Sequence, residues 1–222
     1  MLRKFIILIA LLAITISVAW AAIENPVDML NNTIVKTQDK LIKNSAEYKQ
    51  DPYKLLGLVD KEIVPIVAPK VVAQLVVGTA KWKKATSEEQ KDFIHSATEM
   101  LTFMYAKNVA YAGKYKISLF PFNKDDSSWQ KKAIVVVNGK IINIDNNQSS
   151  DFAVKMFQKD GKWHIYDFDV AGVSILKAYQ EQFAPYATVP EMTKAAERVT
   201  TNIKKKNYPK LLDDNYKLQN IE

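Results

Sequence analysis

Few side chains of this chain have the types and spacing that catalysis requires. The 222 residues include two histidines, His95 and His164, and no cysteine. The absence of cysteine excludes disulfides and thiolate chemistry. Two separated histidines without a cluster of other ligand side chains do not indicate a zinc site or a catalytic triad. Metal-assisted and nucleophilic catalysis therefore have little support in the sequence.

Three other residues belong to patterns that occur in active or metal sites. Ser174 follows Gly172 as a nucleophile would, but Leu176 stands where a nucleophile elbow has its second glycine. Ser174 is therefore predicted to cap a helix. Asp167 and Asp169 share one face of a predicted strand and could bind a hard cation or form a polar strand end. Because no glycine-rich phosphate loop is present either, an enzyme is the weaker class of function.

The elements that would position these residues are densest in residues 161–183. Residues 163–170 are rich in aromatic and β-branched side chains and follow the turn pair Asp160-Gly161, which predicts a strand. Simple alternation places Trp163 and Ile165 on one face and Tyr166, Phe168 and Val170 on the other. Beyond Gly172, apolar residues recur at helical spacing up to Phe183. The chain is therefore predicted to turn from a sheet into a helix packed beside it.

The residues before this stretch predict helices first. Asn25-Pro26 and Asp51-Pro52 are helix starts, and a further helix runs from Pro69 to a stop at Gly78. Thr86 to Glu89 is a capping box. The helix that it opens is predicted to run to about Ala112, with Gly113 as its stop, and its two apolar stripes place it near the centre of the protein.

Strand signals follow from Tyr115 onwards, in residues 115–119, 131–144, 152–157 and 163–170. Asn138-Gly139 predicts either a tight hairpin turn or a bulge within one long strand. A last helix is predicted for residues 191–206, and the Lys204-Lys205-Lys206 run is interpreted as its solvated end. The order of elements predicts a single α+β domain, in which a twisted antiparallel sheet of about four strands packs against several helices.

The first 21 residues have the composition of a secretory signal peptide. Arg3 and Lys4 precede an apolar run, and Ala19-Trp20-Ala21 supplies the small residues of a cleavage site after Ala21. The run is short for a membrane span. Cleavage would remove two of the 31 Lys and Arg residues. The remaining basic residues and the 24 acidic residues would give a net charge of +5. That mild basicity suits an anionic membrane surface or an acidic protein, whereas the dispersed charges do not suit nucleic acid.

Motifs across residues 25–206 resemble the MlaC or toluene-tolerance family. The resemblance rests on W-x-I-Y-D from Trp163 to Asp167, G-V-S-I-L from Gly172 to Leu176, Tyr179, the pair Gln182-Phe183, and upstream Pro65, Gly78, Trp82, Ala85-Thr86, Glu89-Gln90, Phe93 and Tyr105-Ala106. Two positions depart from the family pattern. Val67-Ala68 stands where the family often has an Asp, and Gln180-Glu181 stands where it has an Arg. What the family's Asp and Arg contact is therefore undefined for this chain.

The resemblance implies a periplasmic phospholipid carrier without covalent chemistry. Residues 22–222 would form the lipid-binding domain, with an apolar lipid cavity between sheet and helices, phospholipid as cargo and no other cofactor. The implied partners are an inner-membrane ABC transporter complex with an MCE-domain subunit and an outer-membrane lipoprotein complex, in a pathway that maintains outer-membrane lipid asymmetry. The resemblance also favours one long strand through Asn138-Gly139. A monomer is the default expectation.

Thirteen apolar or aromatic residues are candidates for the wall of such a cavity: Val72, Leu75, Val76, Met100, Leu101, Met104, Tyr105, Val136, Tyr166, Val170, Val173, Leu176 and Tyr179. Each of them could equally pack an ordinary core. Two other functions remain open. One is a periplasmic chaperone or adaptor that binds acyl groups or apolar segments of proteins. The other is a small hydrolase, which would depend on His164 or Asp167.

Overall fold

Helices precede and follow a sheet in residues 23–123 and 127–208, the part of the chain that this computed structural model describes. The predicted signal peptide lies outside these residues. The described helices are α1 (Pro26–Lys43), α2 (Ser45–Gln50), α3 (Pro52–Glu62), α4 (Pro69–Val77), α5 (Thr79–Lys84), α6 (Ser87–Tyr105), α7 (Ile175–Phe183) and α8 (Val189–Asn207). The strands are β1 (Tyr115–Leu119), β2 (Ile134–Asn143), β3 (Ser149–Lys159), β4 (Lys162–Val170) and β5 (Val173–Ser174). The α+β prediction is confirmed, and the two-residue β5 adds a fifth strand.

The predicted helix starts are confirmed by their capping geometry. The Asn25 side chain accepts a hydrogen bond from the backbone of Val27 at 2.9 Å, and Asp51 caps α3 in the same way. At the start of α6, the Glu89 carboxylate and the Thr86 hydroxyl each accept a backbone N–H of the other residue, at 2.7 and 3.2 Å. These side chains satisfy N–H groups that have no partner within the helix.

The prediction for the longest helix is wrong at its C-terminal end. Helix α6 ends at Tyr105, and a 3₁₀ segment, Ala106–Lys114, continues the chain to β1. Gln38 of α1 donates hydrogen bonds to the carbonyl oxygens of Ala112 and Tyr115, at 3.0 and 2.6 Å. Contacts with α1 therefore fix a tighter backbone here than the apolar periodicity predicts.

The five strands pair antiparallel in the order β1-β2-β3-β4-β5. Strand β2 passes without a turn through Asn138-Gly139, which confirms the long strand. A Cβ atom on Gly139 would lie 2.5 Å from the Ser118 carbonyl oxygen and 2.7 Å from the Phe152 ring. The glycine is therefore required by close packing across the sheet.

A β-bulge in β4 makes the predicted side-chain alternation of this strand wrong. Lys155 pairs with Asp167 and Met156 with Ile165, so that Tyr166 is an extra residue in β4. The bulge reverses the alternation beyond it. Phe168 and Val170 consequently lie on the same face as Trp163 and Ile165, as their register with β3 shows.

The two faces of the sheet have different surroundings. Val27 and Leu30 of α1 pack on the face that carries Val137, Val154 and Met156. On the opposite face, alternate residues of β2 are exposed. A second core lies among the helices and includes Phe93, Met100, Phe183, Val189 and Met192. Among the described residues, no helix has the length and hydropathy of a membrane span.

The close approach at Gly139 predicts a large effect of a single methyl group. Gly139→Ala should lower the free energy of unfolding by about 1–3 kcal/mol, because the added Cβ overpacks against backbone and an aromatic ring. Gly57→Ala is the matched control, since a Cβ at Gly57 in α3 meets nothing within 4 Å. That variant should be neutral or slightly stabilising. Urea unfolding measures both, and equal effects would contradict this account of Gly139.

Candidate functional site

A cavity of about 520 Å³ lies between the helices and strand β4. Its wall combines α1, α3, α4, α6 and α7 with residues 165–168 of β4 and the 3₁₀ segment Val64–Ile66. Aliphatic and aromatic side chains dominate the wall, and many of them, such as Val72 and Leu101, are only partly buried. A volume in this range is typical of a small-molecule site. The packing of the protein therefore leaves apolar surface facing an unfilled space.

Polar side chains in the wall bond mainly to the protein itself. The Thr98 hydroxyl donates to the Ile94 carbonyl at 2.8 Å, and the Thr102 hydroxyl donates to the Thr98 carbonyl at 2.9 Å. These threonines therefore need no partner inside the cavity. The buried Thr37 hydroxyl is an exception, since it has no hydrogen-bond partner in the described part of the chain. The wall as a whole suits an apolar ligand.

Asp167 is the charged residue of the wall, and four donors hold its carboxylate. Lys155 Nζ and the Ser174 hydroxyl donate to Oδ2, each at 2.8 Å, while the backbone N–H groups of Phe168 and Leu176 donate to Oδ1 at 2.8 and 3.0 Å. Burial by itself raises the pKa of Asp167, but the Lys155, Leu176 and Ser174 hydrogen bonds outweigh burial and hold the pKa below its usual value. The carboxylate therefore joins β3 and β4 to the start of α7.

Two tyrosines meet at the open side of the cavity. Tyr105 at the end of α6 lines the cavity and is 50% exposed, whereas Tyr179 of α7 is partly buried. Burial, and then the neighbouring Tyr105 phenol, raise the pKa of Tyr179 above its usual value. The Tyr179 phenol is thus neutral at physiological pH, and the two tyrosines place polar atoms where the apolar wall meets water.

A second carboxylate joins two helices of the wall. Glu62 at the end of α3 is nearly buried, and its oxygens lie 2.8 Å from Lys36 Nζ and 2.5 Å from Lys40 Nζ of α1. Hydrogen bonds from Lys36 and then Lys40 lower the pKa of Glu62 to about 2. Because Thr37 and Leu41 of α1 also line the cavity, this ionic contact fixes α1 as part of the cavity wall.

The structure brings eight of the thirteen predicted wall residues together around the cavity: Val72, Val76, Met100, Leu101, Tyr105, Tyr166, Leu176 and Tyr179. The other five, Leu75, Met104, Val136, Val170 and Val173, lie outside the lining. Val136 is on the exposed face of β2, and Leu75 and Met104 face away from the cavity on α4 and α6. Periodicity identified the right helices for these two residues, but it did not identify the face that borders the cavity.

The sequence interpretation missed the contribution of the N-terminal helices to the wall. Leu41 of α1, Leu55, Leu58 and Val59 of α3, and Ile63 directly after α3 line the cavity. Most of these residues belong to apolar stripes that the sequence does show. A stripe has the same period whether it packs on a core or borders a cavity, so no sequence signal separates the two.

The residues that the sequence suggested for catalysis lie where structural roles account for them. His95 is exposed on α6, and the His164 ring lies beside Phe157 with their centroids 5.7 Å apart. Ser174 caps α7, as predicted, by accepting a hydrogen bond from the Lys177 backbone at 3.0 Å. Residues 23–123 and 127–208 contain no group of three or more His, Cys, Asp or Glu side chains that could hold a metal ion.

The fold and the cavity define a class of protein, a single α+β domain that encloses an apolar cavity between its sheet and its helices. The MlaC protein family matches residues 31–209, and the chain belongs to this family. The resemblance noted in the sequence is thereby confirmed.

Two curated relatives and one solved structure are similar to this chain. Toluene tolerance protein ttg2D of Pseudomonas putida is 22% identical over 165 residues, which are 73% of each chain. The intermembrane phospholipid transport system binding protein MlaC of Haemophilus influenzae is 25% identical over 158 residues, 69% of this chain and 70% of the relative. A phospholipid-binding protein from Ralstonia solanacearum, solved in complex with a phospholipid, matches with a TM-score of 0.69 at 19% identity. The match covers 79% of this chain and 97% of that structure, and it shows the shared fold.

The Glu62 contact predicts a specific acid sensitivity. The folded-state pKa of about 2 lies below the usual value of 4.5 for a glutamate side chain. Glu62 therefore stabilises the fold above about pH 4.5, and this contribution is lost as the pH falls towards about 2. Thermal unfolding measured across this window should show a smaller acid-induced loss of stability for Glu62→Gln than for the unmodified chain.

Asp39→Asn is the control for this prediction, because it removes a carboxylate from an exposed pair with Lys43 within α1, the helix that also carries Lys36 and Lys40. It should leave the acid profile nearly unchanged, since exposed pairs contribute little. Identical profiles for the unmodified chain and Glu62→Gln would show that the Lys36 and Lys40 contacts do not stabilise the fold.

Proposed function

We propose that this protein is a phospholipid carrier that holds acyl chains in the 520 Å³ cavity. The observation that carries the proposal is the apolar wall, whose threonine and aspartate groups bond mainly to the protein. Membership of the MlaC protein family supports it, as do the phospholipid named for a curated relative and for a structure of the same fold. Covalent chemistry has no part in this function.

The energetic cost of the cavity supports a resident ligand. The cavity is open on one side, so apolar side chains of its wall meet water when no ligand is bound. Covering such apolar surface is favourable by about 25 cal/mol per Å². A protein that maintains such a space gains stability when acyl chains fill it.

The free energy of burying acyl chains also limits the mechanism of transfer. At about 0.8 kcal/mol per buried CH₂ group, two chains of about 16 carbons resist release into water by on the order of 25 kcal/mol. Spontaneous loss to solvent is then negligibly slow, so cargo must pass to an acceptor that offers an apolar path. The bound state favours neither direction, because the same affinity opposes release to either membrane.

The cellular setting extends this proposal. The signal peptide predicted in residues 1–21 would export the protein, and membership of the MlaC protein family supports a periplasmic location. There it would exchange phospholipid with an inner-membrane ABC transporter complex and an outer-membrane lipoprotein complex, and so maintain the lipid asymmetry of the outer membrane. Export is tested by N-terminal sequencing of protein from the periplasmic fraction, where a start at Ala22 is expected.

The cargo is tested by native mass spectrometry of protein purified without detergent, followed by lipid extraction. A 1:1 adduct of phospholipid mass is the expected result. A bare protein that also takes up no phospholipid from vesicles would overturn the proposal. Binding of acylated peptides instead would favour a chaperone or adaptor.

Filling the cavity should displace the cargo. Leu101→Trp and Tyr105→Trp place an indole at the wall and should lower phospholipid occupancy several-fold, as measured by the same adduct, while the protein remains folded. Met104→Trp is the matched control, because Met104 lies on the same helix but outside the lining and is 40% exposed. Unchanged occupancy in both wall variants, or an equal loss in the control, would show that acyl chains do not occupy this cavity.

A further inference from the structure

The sheet face opposite α1 carries an exposed apolar row. The register aligns Ile134 of β2 with Phe157 of β3 and His164 of β4. Ile134 is 53% exposed, and Val136 on the same face is 42% exposed. Phe157 and His164 are partly buried, so the apolar surface left in contact with water here is mainly that of Ile134 and Val136. Exposed apolar patches of this kind often mark interaction sites.

Lysines flank this row on the same face. Lys159 lies directly opposite Lys162, and each is two residues from the row members Phe157 and His164. Lys132, two residues before β2, lies beside Lys159, since the Gln158 backbone donates to the Ala133 carbonyl at 2.9 Å. All three lysines are exposed, and none forms an ion pair with a described carboxylate.

This charge arrangement does not serve the stability of the sheet. Like charges directly opposite each other in an antiparallel pair are destabilising. The nearest acidic residue in the sequence is Asp160, in the turn between the two lysines. The lysine cluster therefore leaves net positive charge at one end of the apolar row, where an anionic surface would neutralise it.

The apolar row is continuous with the cavity. Tyr166, the extra residue of the bulge, lines the cavity, and its ring centroid lies 6.2 Å from that of Phe157. Lys155 on the same face donates to Asp167, another wall residue. Apolar contacts therefore lead from the interior of the cavity onto the open face of the sheet.

We propose that this open face, comprising Ile134, Val136, Phe157 and the lysines Lys132, Lys159 and Lys162, docks on the surface of an anionic phospholipid bilayer. Lysines attract anionic headgroups, while adjacent apolar side chains enter the interface. An acidic protein would neutralise the lysines equally, but the apolar row beside them matches the amphipathic character of a headgroup region. The proposal rests on the carrier function, for which docking beside the cavity would shorten the path of the cargo.

Vesicle sedimentation of the full mature chain tests this inference. The protein should sediment with vesicles that contain phosphatidylglycerol and not with vesicles of phosphatidylcholine alone, and added salt should weaken binding. The double variant Lys159→Gln/Lys162→Gln should bind roughly 30-fold more weakly. Each lysine near an anionic surface contributes about 1 kcal/mol, and about 2 kcal/mol corresponds to that change in the binding constant. Ile134→Ser should also weaken binding. The control Lys83→Gln/Lys84→Gln removes two exposed lysines from α5 and should bind normally.

Several outcomes would overturn the docking proposal. One is an equal loss of binding in the Lys83/Lys84 control, and another is equal binding to both kinds of vesicle. A third is no binding of the unmodified chain, in which case an acidic protein or residues 209–222 would occupy the open face. The thermal midpoint of Lys159→Gln/Lys162→Gln should not fall, so weak binding cannot be attributed to unfolding. Native mass spectrometry of the same samples separates the two proposals, since a chain that carries phospholipid but ignores vesicles disproves only the docking.

Discussion

The carboxylate of Asp167 is the contact on which the arrangement of sheet and helices around the cavity depends. It lies in β4 at the bulge, pairs with Lys155 of β3, and accepts hydrogen bonds from Ser174 and Leu176 at the start of α7. A buried charge is stable only when it is paired and fully hydrogen-bonded. This requirement fixes α7 against the edge of the sheet and leaves the space beside β4 open.

The cavity is bounded by polar contacts because apolar packing alone would close it. Side chains that border an empty space gain free energy by filling it, so the walls must be held apart from outside the space. Asp167 holds α7 on one side, and Glu62 joins α3 to α1 through Lys36 and Lys40 on another. On α6, the Thr98 and Thr102 hydroxyls bond to backbone carbonyls, so that neither needs a partner inside the cavity.

The bulge at Tyr166 links the interior of the protein to its surface. It changes the alternation of β4 so that Phe168 lies with Trp163 under α1, while Tyr166 and Asp167 border the cavity. Tyr166 also contacts Phe157 on the open face of the sheet. One irregular residue thus connects the space proposed for acyl chains with the face proposed to meet a bilayer.

Most helix starts and strands can be predicted from the sequence alone, because capping and turn chemistry are local. Asn25, Asp51, Thr86 and Ser174 begin helices as predicted, and the α+β order follows from the change of hydrophobic period. Which apolar residues border the cavity depends instead on how the helices and the sheet pack together. Leu101 lines it and Met104, three residues later on the same helix, does not. The bulge in β4 and the early end of α6 also depend on neighbours distant in the chain. A hydrophobic pattern predicts which side chains avoid water. A cavity forms where separate elements are held apart, and the distance between those elements is set by contacts such as those of Asp167 and Glu62.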